Sequence, residues 1–514
     1  MTDILSPYSR RGLIGAGLGV GAGLLLPDSA MSASRPRRGG RIRAAGMTAS
    51  TADTLDPAKG ANSSDYIRHY MFYSLLTQLD RNLIPQLELA ERIESSDQIN
   101  WHIRLRKGIT FHDGATLTAQ DVVWTLMRHK NPATGSKMAQ IAEQFAQIRA
   151  TSKQDVFIRL TGPNADLPAI LAQTHFGILR EGTSDFRTAN GTGPFLCAQF
   201  RPGVRTLARR NPNFWKPGKP YLDEIELISI PDETSRVNAL LSGDVHIILA
   251  VNPRSSKRIH ASPRHNLMVT PSGLHTNLIM RQDRLPTGNP HFVAAIKYLF
   301  DRPLIKRALF RGYATIANDH PIPPFHPYYR ADLPQRALDL DKARWHLQRA
   351  GLKGTRLPIY ASPAAEGSVD MASVLQEYGS RIGLNLAVNR VPADGYWSTH
   401  WMKHPMGFGN TNPRPTADLM FSLFYKSDAA WNESGWKNPR FDRLLVEARG
   451  EANQAKRKQL YGEMQELVRD YCGVSIPVFI NLIDAHDRRL KGMYPIAIGG
   501  MMGYQFAEHV WWEG

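Results

Sequence analysis

An α/β fold spread over at least two domains is what the sequence predicts, and three observations lead there. The chain has 514 residues, more than a single hydrophobic core accommodates. Residues 101–106 alternate bulky apolar with polar side chains, the period-two pattern of a half-buried strand. Residues 225–245 read as strand, helix, turn and next strand, a grammar that builds layered α/β units around a largely parallel sheet.

Each element follows from local chemistry. After the strand at 101–106, His112-Asp113-Gly114 supplies a turn, and Thr118 caps a helix with apolar positions at Val122, Val123 and Leu126. The glycines of Asn190-Gly191-Thr192-Gly193-Pro194-Phe195 suit a tight turn leading into a strand. Residues 225–230 form the next strand, 235–241 a helix, and Gly243-Asp244-Val245 the turn beyond it. A second domain is expected to begin near His275. Residues 292–300 have helical spacing up to Asp301-Arg302-Pro303, where a new helix starts. Asn318-Asp319-His320-Pro321-Ile322-Pro323-Pro324 is a proline-stiffened loop. Residues 339–351, 371–383 and 454–468 read as helices and 384–391 as a strand. The segment 475–480 is expected to be a strand returning to the first domain. Internal repeats, heptads and low-complexity tracts are not evident.

The N-terminus reads as an export signal. Ser9-Arg10-Arg11-Gly12-Leu13-Ile14 resembles a twin-arginine motif, and an apolar run follows from Leu13 to Leu26, shorter than the roughly 20 residues a spanning helix needs. Small residues at Ala30, Ser32 and Ala33 offer cleavage sites, so residues 1–33 are expected to be removed and the protein to reside in the periplasm. The Gly17–Ala22 run satisfies a dinucleotide-type glycine pattern, but no strand precedes it. No cysteine follows the apolar run, so a lipid anchor is not indicated. Hydrophobic residues make up 42% and charged residues 21%, ordinary for a globular protein, whereas the net charge is +17. The Lys and Arg are dispersed rather than striped, which argues for a solvated surface and against nucleic-acid binding. Cys197 and Cys472 are the two cysteines, too far apart in sequence to predict a bridge.

The block from Trp101 to Trp124, containing Gly108-Ile109-Thr110-Phe111-His112-Asp113-Gly114, resembles the signature of the extracytoplasmic solute-binding proteins of the peptide, nickel and opine ABC-importer family, family 5. Leu55-Asp56-Pro57-Ala58, Tyr73-Ser74-Leu75-Leu76, Leu83-Ile84-Pro85-Gln86-Leu87 and Arg209-Arg210-Asn211-Pro212-Asn213-Phe214-Trp215 extend the resemblance over nearly the whole chain after the signal. It implies a two-lobed periplasmic binding protein of the type II, large peptide-binding class. Lobe I would comprise 41–272 plus 481–514, with an inserted subdomain near 63–188, and lobe II 273–480. The lobes would close around a peptide or peptide-like solute and present it to a membrane permease with cytoplasmic ATPases. A monomer is implied, with no cofactor, no resident metal and no catalytic residues.

In this family a lobe II loop supplies much of the recognition. Here it corresponds to Gly407-Phe408-Gly409-Asn410-Thr411-Asn412-Pro413-Arg414-Pro415-Thr416-Ala417-Asp418. Glycines expose backbone groups, Phe408 offers an apolar face, and Asn410, Asn412 and Arg414 offer polar contacts; the plainer reading gives Arg414 and Asp418 structural roles only. Dipeptide-binding members carry an aspartate where this chain has Thr411 and an arginine near the position of Ser362. Both anchors of a free dipeptide are therefore missing, and Arg414 is expected to receive a carboxylate or phosphate of an anionic or modified peptide-like solute. Tyr66, Tyr70 and Tyr73 are candidates for the cleft wall or for core packing. His275 and Asn277 lie near the expected crossing between lobes. Trp397 and Trp401 share a helical face and read as core.

Two other classes deserve weighing. His400 and His404 have the i, i+4 spacing of a metal-binding pair, but no third ligand is identifiable, leaving a metal-chelate solute as an alternative beside an opine or sugar conjugate. A hydrolase would require a nucleophile or metal motif, and neither G-x-S-x-G nor H-E-x-x-H occurs.

Overall fold

The computed structural model describes residues 36–513; the expected export segment, residues 1–33, lies outside them. Three sheets organise the described residues. The largest has seven strands in the order His265–Thr270, Leu482–Asp487, Ile247–Ile248, Arg41–Gly46, Glu224–Ser229, Arg205–Arg210 and Phe195–Arg201. Five strands make the second: Asn385–Arg390, Arg356–Ala361, Met406–Thr411, His275–Met280 and Val474–Ser475. A four-stranded sheet, Ala90–Glu94, Asn100–Leu105, Asp155–Leu160 and Phe145–Ala150, carries its own core around Trp101, Ile103, Phe145 and Ile158.

The elements arise as their residues dictate. In Asn100–Leu105, Trp101, Ile103 and Leu105 point into the core while His102 faces solvent. Helix Ala119–Arg128 starts at Thr118, whose hydroxyl and backbone N–H both engage the Asp121 carboxylate at 2.8 Å, a capping box. Helix Glu233–Ser242 ends at Gly243, whose left-handed φ of 89° closes the C-terminus at no side-chain cost.

Two expectations need correction. The sheets are mixed rather than largely parallel. Arg41–Gly46 is parallel to both neighbours, yet Phe195–Arg201 and Arg205–Arg210 form an antiparallel pair, because so short a connection permits no crossover. The segment 475–480 does not return to the first sheet. Val474–Ser475 pairs with His275–Met280, and Val478–Ile480 pairs with Ala314–Ile316. Pro477, which lacks an N–H, stands between the two pieces, and the return is made by the next strand, Leu482–Asp487. No helix among the described residues is long and apolar enough to cross a membrane.

Candidate functional site

Arg356–Ala361 and Met406–Thr411 run parallel, and His275–Met280 runs antiparallel to the latter. The carboxyl ends of two strands and the amino end of the third therefore share one sheet edge, the edge at which open α/β sheets receive ligands. Gly273, Pro413 and Arg414 at this edge line a cavity with Pro323 and Phe325 of the proline loop. Leu83 and Ala497, which pack with the core of the seven-stranded sheet, complete it from the other side. Its empty space is about 320 Å³ counting volume open to solvent, of which only about 10 Å³ is room for the centres of water-sized spheres, so its own side chains nearly fill it in this conformation.

Arg414 is the charged residue of that lining. Its Nη1 donates to the carbonyls of Asn412 and Pro413 at 3.1 and 3.2 Å, and its guanidinium lies 5.4 Å over the Phe424 ring. Among the described residues no carboxylate pairs with it. Desolvation lowers its pKa, opposed only by Tyr66. A half-buried cation without a counter-ion is unfavourable, and an incoming anion relieves it. Tyr66 stands on helix Ser63–Phe72, which Asn62 caps by accepting from the Asp65 N–H at 3.1 Å. Its half-buried ring meets His175 and Tyr504 edge-on at 5.3 and 5.4 Å. Burial raises the Tyr66 phenol pKa, and the Arg414 charge pulls against that rise.

The other expected residues divide. Residues 406–411 are a strand, so the anticipated loop shrinks to 412–416, and Asn412 is exposed there. Phe408 is fully buried in the core with Leu278 and Tyr396, and the expected apolar face toward solute is corrected. Gly409 makes room for a neighbour: a Cβ there would collide with Glu433. Asn277 is buried and donates to the Glu433 carboxylate at 2.6 Å, as does Trp401 Nε1 from the other side. Burial raises the Glu433 pKa to about 7. Asp418 is buried and paired with Arg449 at 3.0 Å. Asn277, Gly409 and Asp418 thus support the sheet edge from beneath. Asn410 donates to Thr276 Oγ1 at 3.0 Å at the edge itself, and Thr411 is buried. Ser362 Oγ donates to the Pro392 carbonyl, so neither expected dipeptide-anchor position carries charge.

Tyr73 donates to the Leu55 carbonyl inside the core, and Tyr70 and Tyr73 both line a second cavity with Gln78 and Gln505. His275 is buried against Phe479, with Nδ1 2.8 Å from the Gly273 carbonyl. His400 Nδ1 and His404 Nε2 are hydrogen-bonded at 3.0 Å, with Tyr360 stacked on His404. Trp397 is 43% exposed, not core. Cys197 and Cys472 are free thiols.

Sequence reasoning missed Glu366 and Tyr504. Glu366 lies in the loop after Arg356–Ala361, with its carbonyl accepting from Thr276 Oγ1 at 2.7 Å. Its carboxylate is exposed, yet the surrounding protein raises its pKa by desolvation, and no cation pairs with it among the described residues.

Comparison with known proteins gives this geometry its context. Residues 85–433 match the family model for bacterial extracellular solute-binding proteins, family 5. The glutathione-binding protein GsiB of Escherichia coli K12 is 24% identical over 460 residues, covering 86% of this chain and 90% of that protein. The periplasmic binding protein DppA of Helicobacter pylori, solved with the peptide STSA, superposes with a TM-score of 0.76 at 22% identity, over 93% of this chain and 99% of that one. AgaA of A. tumefaciens R10, solved with agropinic acid, gives 0.74 at 22% identity, over 92% and 99%. The fold is that of the two-lobed periplasmic binding proteins. The chain belongs to the bacterial extracellular solute-binding proteins of family 5, the binding components of ABC importers.

Proposed function

We propose that this protein captures an anionic, peptide-like solute in the periplasm and hands it, chemically unchanged, to an ABC permease. The observation that carries this is Arg414, a half-buried guanidinium without a carboxylate partner, lining the cavity at the sheet edge. Glutathione, peptides and agropinic acid, the compounds named with the relatives, all bear carboxylates. Lobe I (41–272 with 481–514, including the insertion near 63–188) and lobe II (273–480) close on the solute. Its contacts with both halves favour the closed state. The protein acts as a monomer, and the twin-arginine machinery exports it by way of Arg10 and Arg11.

Mass spectrometry of the compound released from the exported protein, followed by calorimetric titration of that compound, tests the reading. Arg414→Ala is expected to weaken binding by roughly 10–100-fold, the loss of a hydrogen bond to a charged group. A released compound without any anionic group, or unchanged affinity, overturns it. Replacing Arg10 and Arg11 by lysine is expected to leave the precursor in the cytoplasm.

A further inference from the structure

His400 and His404 belong neither to the hydrophobic core of the five-stranded sheet nor to the lining of the cavity that holds Arg414. Both residues are half-buried, and His400 Nδ1 lies 3.0 Å from His404 Nε2. Two nitrogens bound to one metal ion at about 2.0–2.1 Å and at right angles stand about 2.9 Å apart. The pair therefore already has the spacing of two adjacent ligands in a square-planar or octahedral centre.

The local structure holds this spacing in place. Helix Tyr396–Thr399 ends at His400, and Met402 takes a left-handed φ of 59°, which its side chain disfavours. That residue turns the chain so that His404 meets His400. Arg281 Nη1 donates to the Met402 carbonyl at 3.1 Å and Arg284 Nη1 to the Lys403 carbonyl at 2.8 Å, pinning the turn. Backbone strain over-determined by its surroundings in this way clusters at functional sites. Tyr360 lies flat on His404, with ring centroids 3.5 Å apart at 6°, and Tyr396 stacks on His400 at 6.1 Å and 20°. Tyr396 is itself fixed by donating to the Phe408 carbonyl at 2.7 Å. Both imidazoles are thus oriented before any ion arrives. The positive charge nearby is partly balanced, because Arg281 Nε donates to Asp283 Oδ1 at 2.9 Å. Burial, with His400 and Arg284, lowers the His404 pKa, which keeps that ring neutral and able to ligate. Among the described residues no group of three or more ligating side chains gathers, so water fills the rest of the shell.

We infer that His400 Nδ1 and His404 Nε2 form a two-nitrogen site for a divalent transition-metal ion, Cu²⁺ in preference to Ni²⁺. Without metal, one ring N–H donates to the other ring. A tautomer shift and a small rotation of the rings turn both lone pairs to the ion, with no proton lost. The site stands apart from the solute cavity: His404 precedes the strand Met406–Thr411 and Arg414 follows it, and six residues of strand put roughly 17 Å between its ends. With two protein ligands and water for the others, the ion exchanges readily and clips the turn 400–404 while bound.

The test is calorimetric titration of CuCl₂ and NiCl₂ into tag-free protein stripped with a chelator, with electron paramagnetic resonance of the Cu²⁺ form. Wild type is expected to bind Cu²⁺ more tightly than Ni²⁺ and to show coupling to two imidazole nitrogens. His404→Phe keeps a flat ring stacked on Tyr360 and removes the ligand. It and His400→Ala are each expected to lose at least the roughly 10–100-fold that removal of an outer-shell partner costs a metal site. Circular dichroism and urea unfolding establish that both variants fold. His346→Ala is the control, because His291 and His346 make another close pair, with Nδ1 atoms 2.9 Å apart; it is expected to leave the signal of His400 and His404 in place. Cu²⁺ affinity within about twofold of wild type in folded His404→Phe and His400→Ala overturns the inference. So does a two-nitrogen signal that disappears in His346→Ala and persists in His404→Phe.

Discussion

Asp166 and Arg457 offer the sharpest test of lobe closure. Asp166, just before the short helix Leu167–Ile170, pairs with Arg457 of helix Gln454–Tyr471 at 2.7 Å, with both side chains less than a tenth exposed. Beside them, Ala165 N–H donates to the Arg449 carbonyl at 2.8 Å. These are the contacts expected across the mouth of a closed clamp between 63–188 and 273–480. Asp166→Asn keeps an acceptor oxygen and removes the charge. Arg457 retains the Ala448 carbonyl at 2.9 Å and the Tyr328 hydroxyl at 3.1 Å. The loss is therefore smaller than the 3–5 kcal/mol of a fully orphaned buried charge, about 1.5–3 kcal/mol. If the pair forms only on closure, that loss falls on the closed state alone and weakens solute binding roughly 10–150-fold. Calorimetry with the co-purifying solute reads the affinity, and small-angle scattering reads the compaction on binding. Affinity within about twofold of wild type, with the whole loss appearing in the urea unfolding free energy, would show that the contact does not separate and refute the reasoning.

Further outcomes follow from other sites. Burial holds His129, His275, His326 and His509 near pKa 4 and His320 near 3, so at pH 5 the unfolded chain protonates these five and the folded protein does not. Asp484 and Glu433, raised to about 7, act oppositely, because they are protonated in the folded protein and ionised in the unfolded chain. Five against two, with His69 also held well below its ordinary value by burial, leaves a net uptake of at least about three protons on unfolding, so stability in urea should drop by several kcal/mol from pH 6 to pH 5, and a flat profile would contradict this. Gly409→Ala drives a methyl into Glu433 and is expected to cost about 1–3 kcal/mol in urea unfolding; no loss would mean that the strand yields freely there. Glu366→Gln is expected to leave stability unchanged and to weaken roughly tenfold any solute carrying an ammonium beside its carboxylate; equal affinity would place Glu366 outside the solute's reach.

Much of the fold was legible because its determinants are local. The strand Asn100–Leu105 follows from alternation, helix Ala119–Arg128 from Thr118 and Asp121, and the end of Glu233–Ser242 from Gly243. Met406–Thr411 was not legible. Its sequence Met-Gly-Phe-Gly-Asn-Thr has the glycine content of a loop, and the reason for Gly409 is Glu433, which arrives through a tertiary contact. Likewise the side chains of Asn277 and Asp418 are taken by Glu433 and Arg449, partners that no spacing rule announces. At the site, Arg414 was legible from its chemistry beside prolines and glycines. Tyr504 was not: the run Gly499-Gly500 with Gly503 signals unusual backbone, but only the folded chain sets its ring against Tyr66.

The most direct measurement is a crystal structure of the exported protein with the solute it carries from the cell. The account predicts closed lobes and an anionic group of that solute within hydrogen-bonding distance of the Arg414 guanidinium. A solute bound away from Arg414, or one presenting a cation to it, would contradict the account.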